Sequence, residues 1–378
     1  MNILSSYGAA RLSLLTTVVF FGFAFCVGHA KELKTENVVL ITSDGFRWQE
    51  VFTGAEKLLL HKTVGGVKNV KNTEKAYWRE TPEERRSTLM PFFWSEIAKK
   101  GQIFGNQHKS SKAQITNTMR FSYPGYNEIL TGFADPNIDS NAKRPNENVT
   151  VLEWLHNKPE FKKSVAAFSS WDVIPFIINR RRCGFPVMGG WEPVPNLQPN
   201  PREQFLNELM TSTTRVFPPE VFDSFVYHAA HEHLLANKPR VLFVSFLETD
   251  AWGHAGRYDL ILESARHYDM FVQRLWETMQ SMEQYAGKTT FILSTDHGRG
   301  SGPEEWKNHG KTIEGAENIW MAFLGPDTPA LGERSDCEMV TQNQIAATLA
   351  AFLGEDYQKD VAKAGARIDA VIASPSNE

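Results

Sequence analysis

KTTFILSTDHGRGSGPEEWKNH, residues 288–309, decides how the rest of the chain is read. Residues 289–294 are a β-branched and aromatic run, long enough for one buried strand. That run delivers Asp296 and His297 side by side, then a Gly-rich turn, then His309. In open α/β sheets, ligands bind beyond the carboxyl ends of the strands. An Asp-His pair at a strand end, with another His on the following loop, therefore reads first as metal ligation. The plainer alternative has Asp296 capping a turn and His297 packing on a neighbour.

The same arrangement recurs outward from this stretch. Residues 37–43, NVVLITS, form a continuous apolar run that ends in Asp44-Gly45. A strand apolar on both sides fits a parallel sheet covered on both faces. Residues 240–247, RVLFVSFL, predict another strong strand, followed by Asp250 and, four residues on, His254. Shorter strands are expected at 103–104, 164–168 and 318–324, the last of the chain. Helical patterns occupy 89–101, 126–132, 149–155, 222–235 and 260–282, and 342–353 reads as a closing amphipathic helix. The order is strand, then repeated helix–strand units. It predicts an α/β fold with a mainly parallel central sheet and helices on both faces. There is no internal repeat and no Pro/Ser-rich linker, so residues 31–378 read as one domain. Two stretches interrupt it: 53–88, mixed and basic, and 180–202, dense in Pro and Gly. Both are expected to be irregular insertions that cover the site. His228, His231 and His233 form no single helical face and read as surface or packing residues.

Composition limits the partners. The chain of 378 residues is 42% hydrophobic and 22% charged, with a formal charge of −4, which is ordinary for a globular protein. No basic tail or stripe exists, so nucleic acid is not an expected partner. Residues 1–30 carry Arg11, the apolar run LSLLTTVVFFGFAFCVG and Gly28-His29-Ala30. That pattern is a secretory signal cleaved after Ala30, which implies a periplasmic or secreted protein with no stable membrane span afterwards. The run is also just long enough to be read as an uncleaved anchor. The mature chain keeps Cys183 and Cys337, either as one disulfide or as two free thiols.

Asp44, Asp250, His254, Asp296, His297 and His309 thus all follow strand ends, and Ser122 opens a turn before a helix. Strand ends of one parallel sheet share an edge, so these residues can converge. Carboxylates plus imidazoles without thiolates favour two divalent ions, zinc first, with manganese or iron as alternatives. Two such cations outweigh three aspartates. The residual positive charge favours Ser122 as an alkoxide and attracts an anionic ester, while paired ions can clamp the attacking and leaving oxygens. A serine that opens a helix adds backbone N–H groups aimed at the anion.

Five motifs, NVVLITSDGFR (37–47), SYPGYNEILTG (122–132), ETDAWGH (248–254), STDHG (294–298) and HG (309–310), together resemble the alkaline phosphatase superfamily. The nearest branch is the type I phosphodiesterase/nucleotide pyrophosphatase group, and the resemblance runs from about residue 37 to 326. It implies an alkaline-phosphatase-like fold with one zinc on Asp250, His254 and His309. The other zinc would sit on Asp44, Asp296, His297 and the nucleophile Ser122, and the substrate would be a small phosphate ester or a nucleotide-like molecule. There are departures. That branch more often has Thr at the nucleophile, followed by x-Pro-Asn-His, and its last His lies further from the Asp-His pair. Its phosphate-binding Asn falls in the loop after Gly132, where Asn141, Asn146 and Asn148 compete. Glu248 lies two residues before Asp250, closer than the magnesium carboxylate of the monoesterases, which favours diesters or pyrophosphates. Arg180, Arg181 and Arg182 are read as a solvated basic loop or as contacts for a charged substrate. Ser122-x-Pro124 is also similar to the sulfatase signature, but Tyr126 stands where that signature has Arg. A sulfatase-type ester hydrolase and a non-catalytic metal-binding member of the fold are the alternatives.

Overall fold

The computed structural model describes residues 1–2, 33–196 and 198–373, so the expected signal segment lies almost wholly outside the described residues. Residues 33–373 fall within one compact unit. Among the described residues, no helix is long and apolar enough to cross a membrane.

Ten strands are present among the described residues: β1 Asn37–Ser43, β2 Gln102–Phe104, β3 Ala113–Gln114, β4 Val165–Ser169, β5 Val187–Gly189, β6 Val241–Phe246, β7 Thr289–Ser294, β8 Met321–Leu324, β9 Gly332–Glu333 and β10 Val340–Thr341. Eight form one sheet in the order β5-β4-β6-β1-β7-β8-β2-β9, and β3 pairs with β10 apart from it. Neighbours run parallel except at β8, which is antiparallel to both β7 and β2. The expected α/β architecture with a mainly parallel sheet is the one observed.

The apolar runs explain the layering. Along β1, Val39 and Ile41 enter one hydrophobic cluster, and Val38 and Leu40 enter the other. β6 divides likewise, with Leu242 and Val244 on one face and Val241 and Phe243 on the opposite face. Side chains alternate along a strand, so a strand apolar at every position needs cover on both faces. On one face, the Tyr258–Gln280 helix supplies Ile261, Leu262, Ala265, Tyr268, Val272 and Leu275, spaced along a single helical stripe. On the other, the Ser122–Thr131 and Ile345–Phe352 helices pack together. Each large apolar side chain fully buried in these layers contributes roughly 1.5–3 kcal/mol.

Several details differ from the sequence expectation. Ile345–Phe352 is not the closing helix, since Tyr357–Asp360 follows it, and it is buried at every position rather than amphipathic, because it packs between the Ser122–Thr131 helix and the sheet. Met321–Leu324 is not the last strand; β9 and β10 follow it, two residues each and too short to show a pattern. Residues 53–88 hold two helices, Val70–Tyr77 and Pro82–Leu89. The second starts on a legible signal, a Thr81/Glu84 capping box with Pro82 at its first position. This segment lies beside the loops that carry two candidate ligands. Gly65 O accepts from Tyr258 N at 2.8 Å, and Val64 O accepts from Trp306 Nε1 at 3.2 Å. Residues 180–202 contain edge strand β5 and the start of the Pro201–Ser212 helix. Arg182 there binds Glu153 at 2.7 Å, and Arg180 pairs with Glu192, so both arginines have partners within the fold. Cys183 and Cys337 are both free thiols, held in separate surroundings by Arg180 O and Ser111 Oγ.

Candidate functional site

β6, β1 and β7 are neighbours with aligned carboxyl ends: Ser43 pairs with Phe246, and Thr42 with Ser294. The residues just beyond those ends therefore share one edge of the sheet. Asp44 follows β1 directly, Asp296 and His297 follow β7, and Asp250 and His254 lie one helical turn apart in the Glu248–His254 helix after β6. Gly45 makes this crowding possible. Its φ of 55° is left-handed, and a Cβ there would come 2.7 Å from Asp250 Oδ1.

The seven predicted residues come together. His297 Nε2 lies 3.3 Å from Asp44 Oδ1 and 3.5 Å from Asp296 Oδ2. His309 Nε2 lies 3.6 Å from Asp250 Oδ1 and 2.9 Å from His254 Nε2, which is itself 3.3 Å from Asp250 Oδ2. Ser122 Oγ stands 3.4 Å from His297 Nε2 and 3.5 Å from Asp44 Oδ1. The tightest groupings are Asp250, His297 and His309, and Asp44, Asp296 and His297, with ligand atoms within 4.8 Å in each. His297 thus stands between the two sets.

Proton placement shows what these groups face. His297 Nδ1 is 2.9 Å from Gly298 O, and His309 Nδ1 is 3.1 Å from Arg120 O. A ring nitrogen against a carbonyl must carry the proton, which leaves Nε2 of each ring as the atom that faces carboxylate oxygens and could coordinate a cation. Burial, with the His297 charge second, pushes His309 below the usual imidazole range; burial likewise lowers His254. Burial also holds Asp44 and Asp296 well above the ordinary carboxylate range. Next in size are the Asp250 charge for Asp44 and the Asp44 charge for Asp296. Asp44 Oδ2 and Asp296 Oδ2 are buried without a hydrogen-bond partner. Buried carboxylate oxygens without a partner, facing imidazole nitrogens, are what a bound cation would satisfy. The donor set therefore fits two divalent ions.

Ser122 opens the ten-residue Ser122–Thr131 helix. That helix approaches Asp296 so closely that a Cβ at Gly125 would sit 2.4 Å from Asp296 O. Of the three competing asparagines, Asn141 reaches the helix start, where its Oδ1 accepts from Tyr123 N at 2.9 Å. Asn146 and Asn148 both donate to Asn127, at 2.9 and 3.3 Å, on the helix flank. Glu248 accepts from Asp223 N and Ser264 Oγ, inside the scaffold. Tyr126 is fully buried, and its hydroxyl accepts from Ser245 Oγ at 2.9 Å.

Two charged residues went unread in the sequence. Arg299, 1% exposed, donates from NH2 to both the carboxylate and the carbonyl of Asp250, and from NH1 to Lys307 O. Burial alone would raise the Asp250 carboxyl, but Arg299 first, then His309 and His254, hold it below its usual range. Its only signal was a charged residue in the apolar-flanked Asp-His-Gly-Arg turn. Glu220 sits on a patternless loop; burial, then Asp250 and Asp172, push it up to about 7. In metal-free protein, Arg299→Met leaves Asp250 as an unpaired buried charge. The expected cost is about 3–5 kcal/mol, read by chemical denaturation, and a loss below ~1 kcal/mol would refute this role.

Comparison with known proteins agrees with this architecture. The chain is similar in fold to the alkaline phosphatase PafA, with a TM-score of 0.57 and 11% identity over 90% of this chain and 99% of that one. The phosphonate monoester hydrolase SpPMH from Silicibacter pomeroyi gives 0.54 and 11%, covering 91% and 78%. The lipoteichoic acid synthase LtaP from Listeria monocytogenes gives 0.53 and 12%, covering 85% and 72%. A search of curated proteins returns no match. The family model for type I phosphodiesterase / nucleotide pyrophosphatase matches residues 60–363. The chain belongs to the type I phosphodiesterase / nucleotide pyrophosphatase family, a hydrolase family, and its fold is alkaline-phosphatase-like.

Proposed function

We propose that this protein is an exported two-metal phosphoric ester hydrolase that acts through a phospho-Ser122 intermediate. The observation that carries the reading is the pair of imidazole Nε2 atoms, of His297 and His309, facing carboxylate oxygens beside Ser122 Oγ. Two divalent ions, zinc by donor type, would be held by Asp250, His254 and His309 and by Asp44, Asp296 and His297 with Ser122, and would supply Lewis-acid charge to the attacking and leaving oxygens.

The chain's own residues do the rest. Tyr123 N already donates to Asn141 Oδ1, Pro124 has no N–H and Gly125 N donates to Phe121 O, which leaves the Ser122 N–H for an incoming phosphoryl oxygen, and Asn141 can turn its amide NH2 towards the same group. Ser122 Oγ loses its proton and forms a P–O bond as the ester P–O bond opposite it breaks, and the departing alkoxide takes up a proton and leaves as the alcohol. Water then cleaves phospho-Ser122, releasing the phosphoryl product and restoring the hydroxyl. The substrate is a small phosphate ester or a nucleotide-like molecule, met in the periplasm or outside the cell.

Metal analysis of purified protein, combined with aryl phosphate monoester, diester and sulfate substrates, tests the reading. Two transition-metal ions per chain and turnover of a phosphate ester are expected. No more than one ion after zinc loading would sink the two-metal site. Turnover of sulfate alone would move the protein to the sulfatases, and no turnover at all would leave a non-catalytic metal-binding member.

A further inference from the structure

A second feature lies on the same edge of the sheet. A cavity of about 650 Å³ opens between the start of the Trp48–Thr53 helix, the segment after β2, the end of β3 and the β7–β8 connection. β1, β2 and β7 run in one direction, so their carboxyl ends, and this cavity, border the candidate metal residues. Arg120 links the two. Ile313 lines the cavity, its carbonyl accepts from Arg120 NH1 at 2.8 Å, and Arg120 O accepts from the candidate ligand His309 at 3.1 Å.

The lining has a definite chemistry. Gln49, Gln107, Gln114 and Asn318 bring four side-chain carboxamides from four separate segments. Among the described residues, one hydrogen bond links them, from Gln114 Nε2 to Asn318 Oδ1 at 2.9 Å. Gln49 Oε1 is buried with no partner. Trp48, backed edge-on by His108 with ring centroids 5.1 Å apart, makes an aromatic wall. Glu305, Glu314 and Glu317 outweigh Lys112 in the lining, so a second phosphate or sulfate is disfavoured. Convergent amides with spare donors and acceptors, beside an aromatic ring, suit a neutral group rich in hydroxyls.

We propose that this cavity binds a sugar, the uncharged hydroxyl-rich part of the phosphoester cleaved at Ser122. The proposal rests on the hydrolase reading above, and it names the substrate class: glycosyl or polyol phosphodiesters. The amides take the sugar hydroxyls, Trp48 packs against the ring, and the phosphoryl group extends past the His309 loop to Ser122.

Two measurements on the full, zinc-loaded chain test it. In the first, wild type, Gln49→Leu and Gln114→Leu are assayed with bis(4-nitrophenyl) phosphate and with the 4-nitrophenyl phosphodiester of glucose. The variants should raise KM for the glucosyl diester about tenfold, with kcat changed by less than about twofold, as expected for lost uniform binding. KM for bis(4-nitrophenyl) phosphate should not move. Equal effects on both substrates, or none on either, in variants with wild-type melting temperature would overturn the proposal. In the second, saturation-transfer NMR with a panel of methyl glycosides should detect binding to wild type and lose it in both variants. Absence of transfer in wild type overturns the cavity assignment whatever the turnover. Absence of turnover with transfer intact overturns the hydrolase reading and leaves the sugar site standing.

Discussion

Ser122→Ala should lower turnover about 10⁴-fold or more while leaving the fold and most metal affinity in place. The expectation follows from position. Among the described residues, Ser122 Oγ is the hydroxyl that stands between His297 Nε2 and Asp44 Oδ1, at 3.4 and 3.5 Å, and it opens the Ser122–Thr131 helix. The nearby hydroxyls are engaged elsewhere: Thr116 Oγ1 donates to Glu128, and Ser111 Oγ accepts from Gly105 N. Removing a covalent nucleophile closes a whole reaction route, so the loss should appear in kcat. The check is single-turnover kinetics of the metal-loaded variant, with mass spectrometry for a phosphorylated peptide in quenched wild type. Near-normal turnover would mean that water attacks directly and would demote Ser122 to a turn residue.

Chelation should abolish turnover and expose the electrostatic cost of the site. Without a cation, Asp44 is a fully buried carboxyl whose Oδ2 has no partner, and burial holds its folded pKa well above the unfolded value of about 3.9. The native state then binds the extra proton between those two values. Stability from this group therefore falls as pH rises through that window and stays low above the folded value. Asp44→Asn removes the titration and keeps the shape. In metal-free protein the variant should be more stable than wild type by on the order of 1–3 kcal/mol at about pH 8, with the advantage shrinking towards about pH 5. In zinc the order should reverse, because the variant has lost a ligand to the ion beside Ser122. Urea denaturation with and without chelator measures both arms. A metal-free variant less stable than wild type at the higher pH would refute the account.

How far the sequence reaches can be judged from particular residues. β1, β6 and β7 are continuous apolar runs, which only a sheet covered on both faces can bury, so their existence and the α/β class are legible at once. The strand ends place Asp44, Asp296 and His297, and the short spacing in Asp-Ala-Trp-Gly-His places Asp250 and His254 on one helical turn. Strand β5 sits among prolines and glycines that hide any periodicity, whereas the Pro201–Ser212 helix starts on a legible signal, an Asn200/Glu203 capping box with Pro201 at its first position. β9 and β10 have only two residues each, and pairing rather than pattern makes them strands. The Ile345–Phe352 helix looked amphipathic because sequence reports composition around an axis; whether a second layer covers its outer side is a tertiary matter.

The sequence by itself determined which residues could carry this chemistry, because ligand identity and strand-end position are local properties. Only the tertiary structure decided how they combine. It set β6, β1 and β7 side by side, which lets His297 stand between two ligand sets, and it brought Asn141 rather than Asn146 or Asn148 to the start of the Ser122–Thr131 helix. It also buried Arg299 against Asp250 and gathered four amides from distant segments into one cavity. The physical reason is common to all of these. A charge or an amide acquires its meaning from the groups across the gap, and those groups are set by strand order and packing, which no local window of sequence contains.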